Sequence, residues 1–312
     1  MSQPTPQSAP TVAPAEASGA PGPRAENKVP FRRWFAEVGW RHVAGVIALV
    51  WALFPVSYIV SAAFNPLGNV TTTGVIPSQF DTVNFEALFT TPAIPFTTWY
   101  RNTIVVCVVV TFVQLFCSSL GAYAFSRFRF KGRRGGLLTL LLIQLFPQFL
   151  AAVAIYTMLT WIGDVVPWMG LNTLLGYILV LTGNALGQVW LIKGFFDTIP
   201  ISLDEAAKVD GAGHAQTFFQ IILPLVRPIL AVSGLLVFVA TVSEFLLASI
   251  LLTDQRVKTL AVGLYGLIDA DRSNNLGVFA AGALLTAVPV VLLFLFLQRY
   301  IVGGITAGGV KG

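Results

Sequence analysis

Side chains able to do acid–base, covalent or metal chemistry are sparse in this sequence and far apart. The only histidines are His42 and His214, and the only cysteines, Cys107 and Cys117, share one apolar run. Their separation along a helix is about 15 Å, beyond the reach of a disulfide. No His-Glu-x-x-His, Cys-x-x-Cys or Gly-x-x-x-x-Gly-Lys-Ser/Thr phosphate loop occurs. No catalytic residue, metal site or bound cofactor is therefore expected in this chain, and if ATP drives it, another chain binds the nucleotide. One connector, Ser202 to Pro228 (SLDEAAKVDGAGHAQTFFQIILPLVRP), is a long polar interruption between apolar runs and holds Asp204, Glu205 and Asp210. Such groups suit a structured docking surface rather than turnover.

Within that connector Pro200 precedes Ser-x-x-Glu, so Ser202 is expected as N-cap and Glu205 at N3 of a capping box. The helix runs from Leu203 to Asp210, and Gly211 ends it. Leu203, Ala206, Ala207 and Asp210 recur at i, i+3, i+4 and i+7, a small, flat stripe that another backbone can approach closely. A second helical segment follows from Ala215 to Leu223, with Pro224 and Pro228 punctuating the entry into the next apolar run. The plainer alternative is a helix-turn-helix of no special purpose.

The elements that carry this connector are apolar. Hydrophobic residues make up 55% of the 312, charged residues only 11%, and mean hydropathy is +0.77, against about 25% charge in soluble domains. This is the composition of an all-α integral membrane protein. Six runs have the length of transmembrane helices, near 42–63, 102–125, 137–160, 172–193, 229–252 and 276–299, within a membrane domain 42–300. Residues 1–30, rich in Pro, Ala, Ser and Gln, read as a disordered tail, with no apolar core near Met1 for a cleavable signal peptide. Residues 31–41 mix Arg32, Arg33 and Glu37 with Trp34 and Trp40 and read as an interfacial segment. Pro55, Pro147 and Pro289 fall inside runs, as candidate kinks or as accidents of packing.

The net charge of +5 is topological rather than a nucleic-acid signature. With a cytoplasmic N-terminus, all of the 19 Lys and Arg residues except Arg101, Arg256, Lys258 and Arg272 fall on inner segments. Both termini, the tail 301–312 and the loop 200–228 are then cytoplasmic. Outer connectors 64–101 and 253–275 either meet a soluble protein or cap helix ends.

Glu244, in the fifth run, is the one carboxylate expected at membrane depth, where an ionisable group is costly. It faces a pathway or makes a structural hydrogen bond to a neighbouring helix. Asn184 and Gln188, one turn apart in the fourth run, line one surface or act as helix–helix glue, and Gln144 has the same two readings.

Glu205-Ala206-Ala207, Gly211, Ile221, Leu223 and Pro224 fill the fixed positions of a pattern that Asp210 and Ala212 extend. This resembles the EAA signature of permease subunits of binding-protein-dependent ABC importers. Thr259 to Gly263, the closing Gln298-Arg299-Tyr300 and the glycine-rich tail Gly304 to Gly312 narrow the resemblance to maltose/maltodextrin permeases of the MalG type, with trehalose and other oligosaccharide permeases alike. The likeness runs from Arg41 to Gly312. It implies the type I ABC importer permease fold, with six spans and a cytoplasmic EAA coupling helix in a bacterial inner membrane. It also implies a second related permease, two ATPase subunits that hold ATP and Mg, an extracytoplasmic sugar-binding protein and an oligosaccharide substrate. Glu205, Ala206, Ala207, Asp210, Gly211 and Pro224 would couple to the ATPase, and Glu244, Asn184 and Gln188 would line the pathway. A membrane enzyme would need paired catalytic groups, and a self-contained secondary transporter or channel more intramembrane charge or internal repeats.

Overall fold

The computed structural model describes residues 35–66, 74–77 and 79–309. The expected disordered tail 1–30, residues 31–34 of the interfacial segment and the end of the C-terminal tail, 310–312, lie outside these. Packing divides the chain into Met1–Leu53 and Phe54–Gly312. A π-helical turn, Phe35–Gly39, leads into α1, Trp40–Phe64, whose part in the first unit leaves Ile47, Val50 and Trp51 exposed.

The second unit continues with α2 (Val83–Thr90), α3 (Phe96–Arg127), α4 (Arg133–Gln144), α5 (Ala152–Val165), α6 (Leu174–Thr182) and α7 (Val189–Phe196). The loop helix α8 (Ser202–Val209) follows, then α9 (His214–Leu225), α10 (Arg227–Val242), α11 (Leu246–Leu251), α12 (Leu260–Ala270) and α13 (Arg272–Gly309). Helix α3 is the axis: α2, α6, α7, α10 and α12 all pack on it. Its sequence explains why. Small and polar side chains, Thr103, Gln114, Ser118, Ser119 and Ala122, are buried along it, so neighbouring backbones approach closely and find hydrogen-bond partners.

Among the described residues three helices are long and apolar enough to cross a membrane, Phe35–Phe64, Phe96–Arg127 and Asn274–Tyr300. They match the first, second and sixth expected spans. The third, fourth and fifth are not single helices, and each break has a local cause. In 137–160, α4 stops at Gln144 before Pro147, which has no N–H and whose ring crowds the carbonyl four residues back; a 3-10 turn, Gln148–Ala151, leads into α5. In 172–193, Gly183 to Gln188 separate α6 from α7. In 229–252, Ser243 to Phe245 separate α10 from α11. Pro55 and Pro289 lie inside continuous helices.

The connectors on the far side from α8 are held by side chains of the spans. The Trp99 indole donates to the Gln255 carbonyl at 3.1 Å, and Asn102 Nδ2 donates to the Arg256 and Lys258 carbonyls at 2.9 and 3.1 Å. Asn172, left-handed at φ 55°, accepts from the backbone N–H groups of Thr253 and Asp254 at 2.7 and 2.9 Å. Gly263 packs flat on the Trp99 ring, and a Cβ there would collide with it.

Candidate functional site

The loop helix α8 ends where the sequence places its end, in full motif. Gly211 adopts φ 83°, its N–H bonds the Lys208 carbonyl at 3.0 Å, and the Ala212 N–H bonds the Ala207 carbonyl at 2.8 Å. Both bonds of a Schellman cap are thus made, and the left-handed position takes glycine because a Cβ is disfavoured there.

Its start differs from the expected capping box. Ile201 is the N-cap residue, in helical conformation, and no side chain caps the helix. The backbone has taken the available N–H groups: Leu203 bonds the Pro200 carbonyl at 3.2 Å, and Asp204 and Glu205 bond the Ile201 carbonyl at 2.9 and 3.1 Å. With the turn begun one residue early, Ser202 is inside the helix and Glu205 has no box to close.

Only Asp204 and Ala207 of α8 are buried. Leu203, Glu205, Ala206 and Asp210 are exposed, as is Val209, at 87%. The expected stripe therefore divides: Ala207 turns inward, and Ala206, Leu203 and Asp210 stay open. The inner face rests on the end of α3, where Arg127 Nε lies 3.0 Å from Asp204 Oδ2 and the guanidinium donates to the Ile199 carbonyl at 3.0 Å. Beside it Ser126 donates to Asp197 at 2.7 Å, and Lys193 pairs with the same carboxylate. Burial alone would raise the Asp197 pKa, but the Lys193 and Ser126 hydrogen bonds and the Arg133 charge hold it below the usual carboxylate value. Under the loop Tyr123, Phe196, Phe218, Ile222 and Val226 form one apolar cluster. Pro224 sits half-buried in α9, which bends by 78° into α10.

The pathway candidates come together. Glu244, Asn184 and Gln188, with Gln114, Gln144 and Thr241, line one cavity of about 800 Å³. Glu244 makes the structural hydrogen bond that was one of its two readings. It borders the cavity, and its carboxylate accepts from Tyr177 Oη at 2.6 Å and from the N–H groups of Leu247 and Ala248 at 2.8 and 3.0 Å. Those two N–H groups belong to the first turn of α11, so the carboxylate caps the helix that begins beyond the break.

The break between α6 and α7 is supported from two sides. Gln114 donates to the Leu181 carbonyl at 2.9 Å, Ser118 to the Ala185 carbonyl at 2.6 Å, and Gln144 to the Gly187 carbonyl at 3.2 Å. Freed carbonyls at membrane depth need such partners. Gln114 and Ser118 were not singled out by the sequence, although their one-turn spacing in an apolar run is the available signal. Arg127 and Asp204 were also missed, because a charge at the end of a run reads first as topology.

A family model described as the binding-protein-dependent transport system inner membrane component matches residues 114–306, which hold the α8 loop and the cavity residues alike. The chain belongs to this family. Relatives of this inner membrane component include the maltose/maltodextrin permease MalG of Vibrio vulnificus, 40% identical over 87% of this chain and 95% of the relative. The galactooligosaccharide permease GanQ of Bacillus subtilis is 37% identical over 83% and 90% of the two chains. The maltodextrin permease MalD of Streptococcus pneumoniae is 36% identical over 90% and 97%. Among solved structures, a bacterial ABC transporter that imports the acidic polysaccharide alginate shares the fold of this membrane component. Its TM-score is 0.70 at 24% identity, covering 87% of this chain and 99% of the other.

Proposed function

We propose that the chain is the permease subunit of an ATP-driven importer of oligosaccharides, with maltodextrins as substrate. It forms half of the translocation pathway and has no chemistry of its own. The observation that carries the coupling part of this reading is α8: its Glu205 is exposed and has no hydrogen-bond or ion-pair partner among the described residues, on the signature segment of the family. In this reading the face of Glu205 and Ala206 docks in a cleft of an ATPase subunit, with Gly211 setting the helix end and Pro224 the bend behind it. Closure of two ATPases on ATP and Mg then alternates the access of a cavity walled by this chain and a second, related permease. Each broken helix pair crosses the membrane as one span, giving six, with both termini in the cytoplasm. An extracytoplasmic sugar-binding protein delivers the substrate; a solved alginate transporter that shares the fold at a TM-score of 0.62 has its periplasmic protein bound.

Glu244, Asn184 and Gln188 present amide and carboxylate groups to the cavity, a chemistry suited to sugar hydroxyls. Galacto-oligosaccharides are the second substrate class, favoured by the GanQ relative. The test is purification of the tagged chain from its own membranes in mild detergent. Retention of an ATPase and a second permease supports the reading, and uptake of labelled maltodextrin against galacto-oligosaccharide by the reconstituted complex decides the sugar. A chain that purifies alone and carries sugar without ATP overturns it.

A further inference from the structure

The contact between α8 and the rest of the chain is unusually narrow. Ala207 has too little surface to fix the roll of a helix, and the other buried side chain, Asp204, is held by charge. Its carboxylate and the Arg127 guanidinium are 9% and 6% exposed, and they meet at 3.0 Å without hydrogen-bond geometry. The same guanidinium holds the Ile199 carbonyl, in the segment that enters α8. A buried ion pair is a poor source of stability, since desolvation offsets most of the attraction and an apolar pair of similar volume often does as well. Its direction and its location are what distinguish it here. Arg127 is the last residue of α3, the helix on which α2, α6, α7, α10 and α12 pack.

We propose that Arg127 is a positioning residue for coupling: paired with Asp204, it locks the roll of α8 to the end of α3. A push on the Glu205 face then moves α3 and the helices around it, where otherwise α8 would roll on its bed. The neighbouring charges do not replace it, because Asp197 is engaged by Lys193 and Ser126, and Arg133 donates to the Phe125 carbonyl. This rests on the reading that α8 meets an ATPase.

The test uses the complete complex, with the subunits that co-purify with the wild-type chain, in proteoliposomes with the binding protein. The readouts are the yield of assembled complex and the maltodextrin imported per ATP hydrolysed. Asp204→Asn strands a buried guanidinium and is expected to lower both. Arg127→Met with Asp204→Leu removes both charges, and is expected to restore assembly while import per ATP stays at least about fivefold below wild type, the low end of coupling between linked sites. An apolar pair that couples like wild type makes the contact mere packing and overturns the proposal. So does failure of both variants to assemble, which makes the pair structural. A wild-type chain that retains no ATPase overturns the underlying reading instead, and is seen before any variant is made.

Discussion

Asp204 and Glu205, adjacent on α8, face opposite ways: Asp204 is buried 3.0 Å from Arg127, and Glu205 is exposed with no partner among the described residues. A step of one residue, about 100° around the helix, thus separates a carboxylate held against the end of α3 from one left open at the surface.

Glu205→Gln and Glu205→Ala are expected to fail alike. No capping box exists for Gln to preserve, so only the lost charge matters. Leaving a cationic partner unpaired at a partly buried interface costs about 2 to 5 kcal/mol. Binding-protein-stimulated ATP hydrolysis and sugar uptake check this; wild-type behaviour of Glu205→Gln returns the docking surface to Ala206 and Gly211.

Glu244→Leu is expected to lower the stability of the complex as well as transport. It removes the cap of α11 and strands the Tyr177 hydroxyl, together about 2 to 4 kcal/mol if the two terms add. Tyr177→Phe, which spares the cap, should cost less. Thermal unfolding in detergent ranks the two, and equal melting temperatures for wild type and Glu244→Leu would show that the cap contributes nothing.

Gln114→Leu is expected to destabilise by about 0.5 to 1.5 kcal/mol, because the Leu181 carbonyl loses the Gln114 amide and keeps only the longer 3.3 Å bond from the Asn184 N–H. The same reasoning applies to Ser118→Ala and the Ala185 carbonyl. Unfolding midpoints in one detergent check both, and a rise in either would mean that α6 and α7 do not need these partners.

The Asp197 contacts predict an acid-sensitive loop. Its pKa is lowered in the folded chain, burial being outweighed by Lys193, Ser126 and Arg133. The stabilisation is present above the ordinary carboxylate pKa of about 4 and fades as pH falls through the folded value. Protease cleavage at residues 197–213 should therefore rise steeply below pH of about 4 in wild type, and Asp197→Asn should be cleaved faster at pH 7 and lose that part of the pH dependence. A pH profile unchanged by Asp197→Asn contradicts the assignment.

What the sequence reveals and what it hides divide along physical lines. The family, Gly211 as helix terminator and three long apolar helices at the first, second and sixth expected spans follow from local pattern. Asn184, Gln188 and Glu244 were each read as a pathway residue or a structural hydrogen-bonding group, and the three line one cavity. The three broken runs were hidden because hydropathy measures composition, and a run stays apolar whether or not its hydrogen bonds are interrupted. A helix ends just before Pro147, while Pro55 and Pro289 lie inside continuous helices. The missing capping box has a like cause: Ser-x-x-Glu is a possibility that the backbone forecloses by starting its first turn at Ile201. Arg127 and Asp204 are far apart in sequence, and only the packing of α8 on the end of α3 makes them a pair.

The most direct measurement is ATP hydrolysis by the purified, reconstituted complex, with and without the sugar-binding protein loaded with maltodextrin. An ATPase is expected to co-purify with this chain, loaded binding protein to stimulate hydrolysis several-fold, and Glu205→Gln to abolish the stimulation. A chain that imports maltodextrin with no ATPase bound, or a complex whose hydrolysis ignores both the loaded binding protein and Glu205, would contradict this expectation.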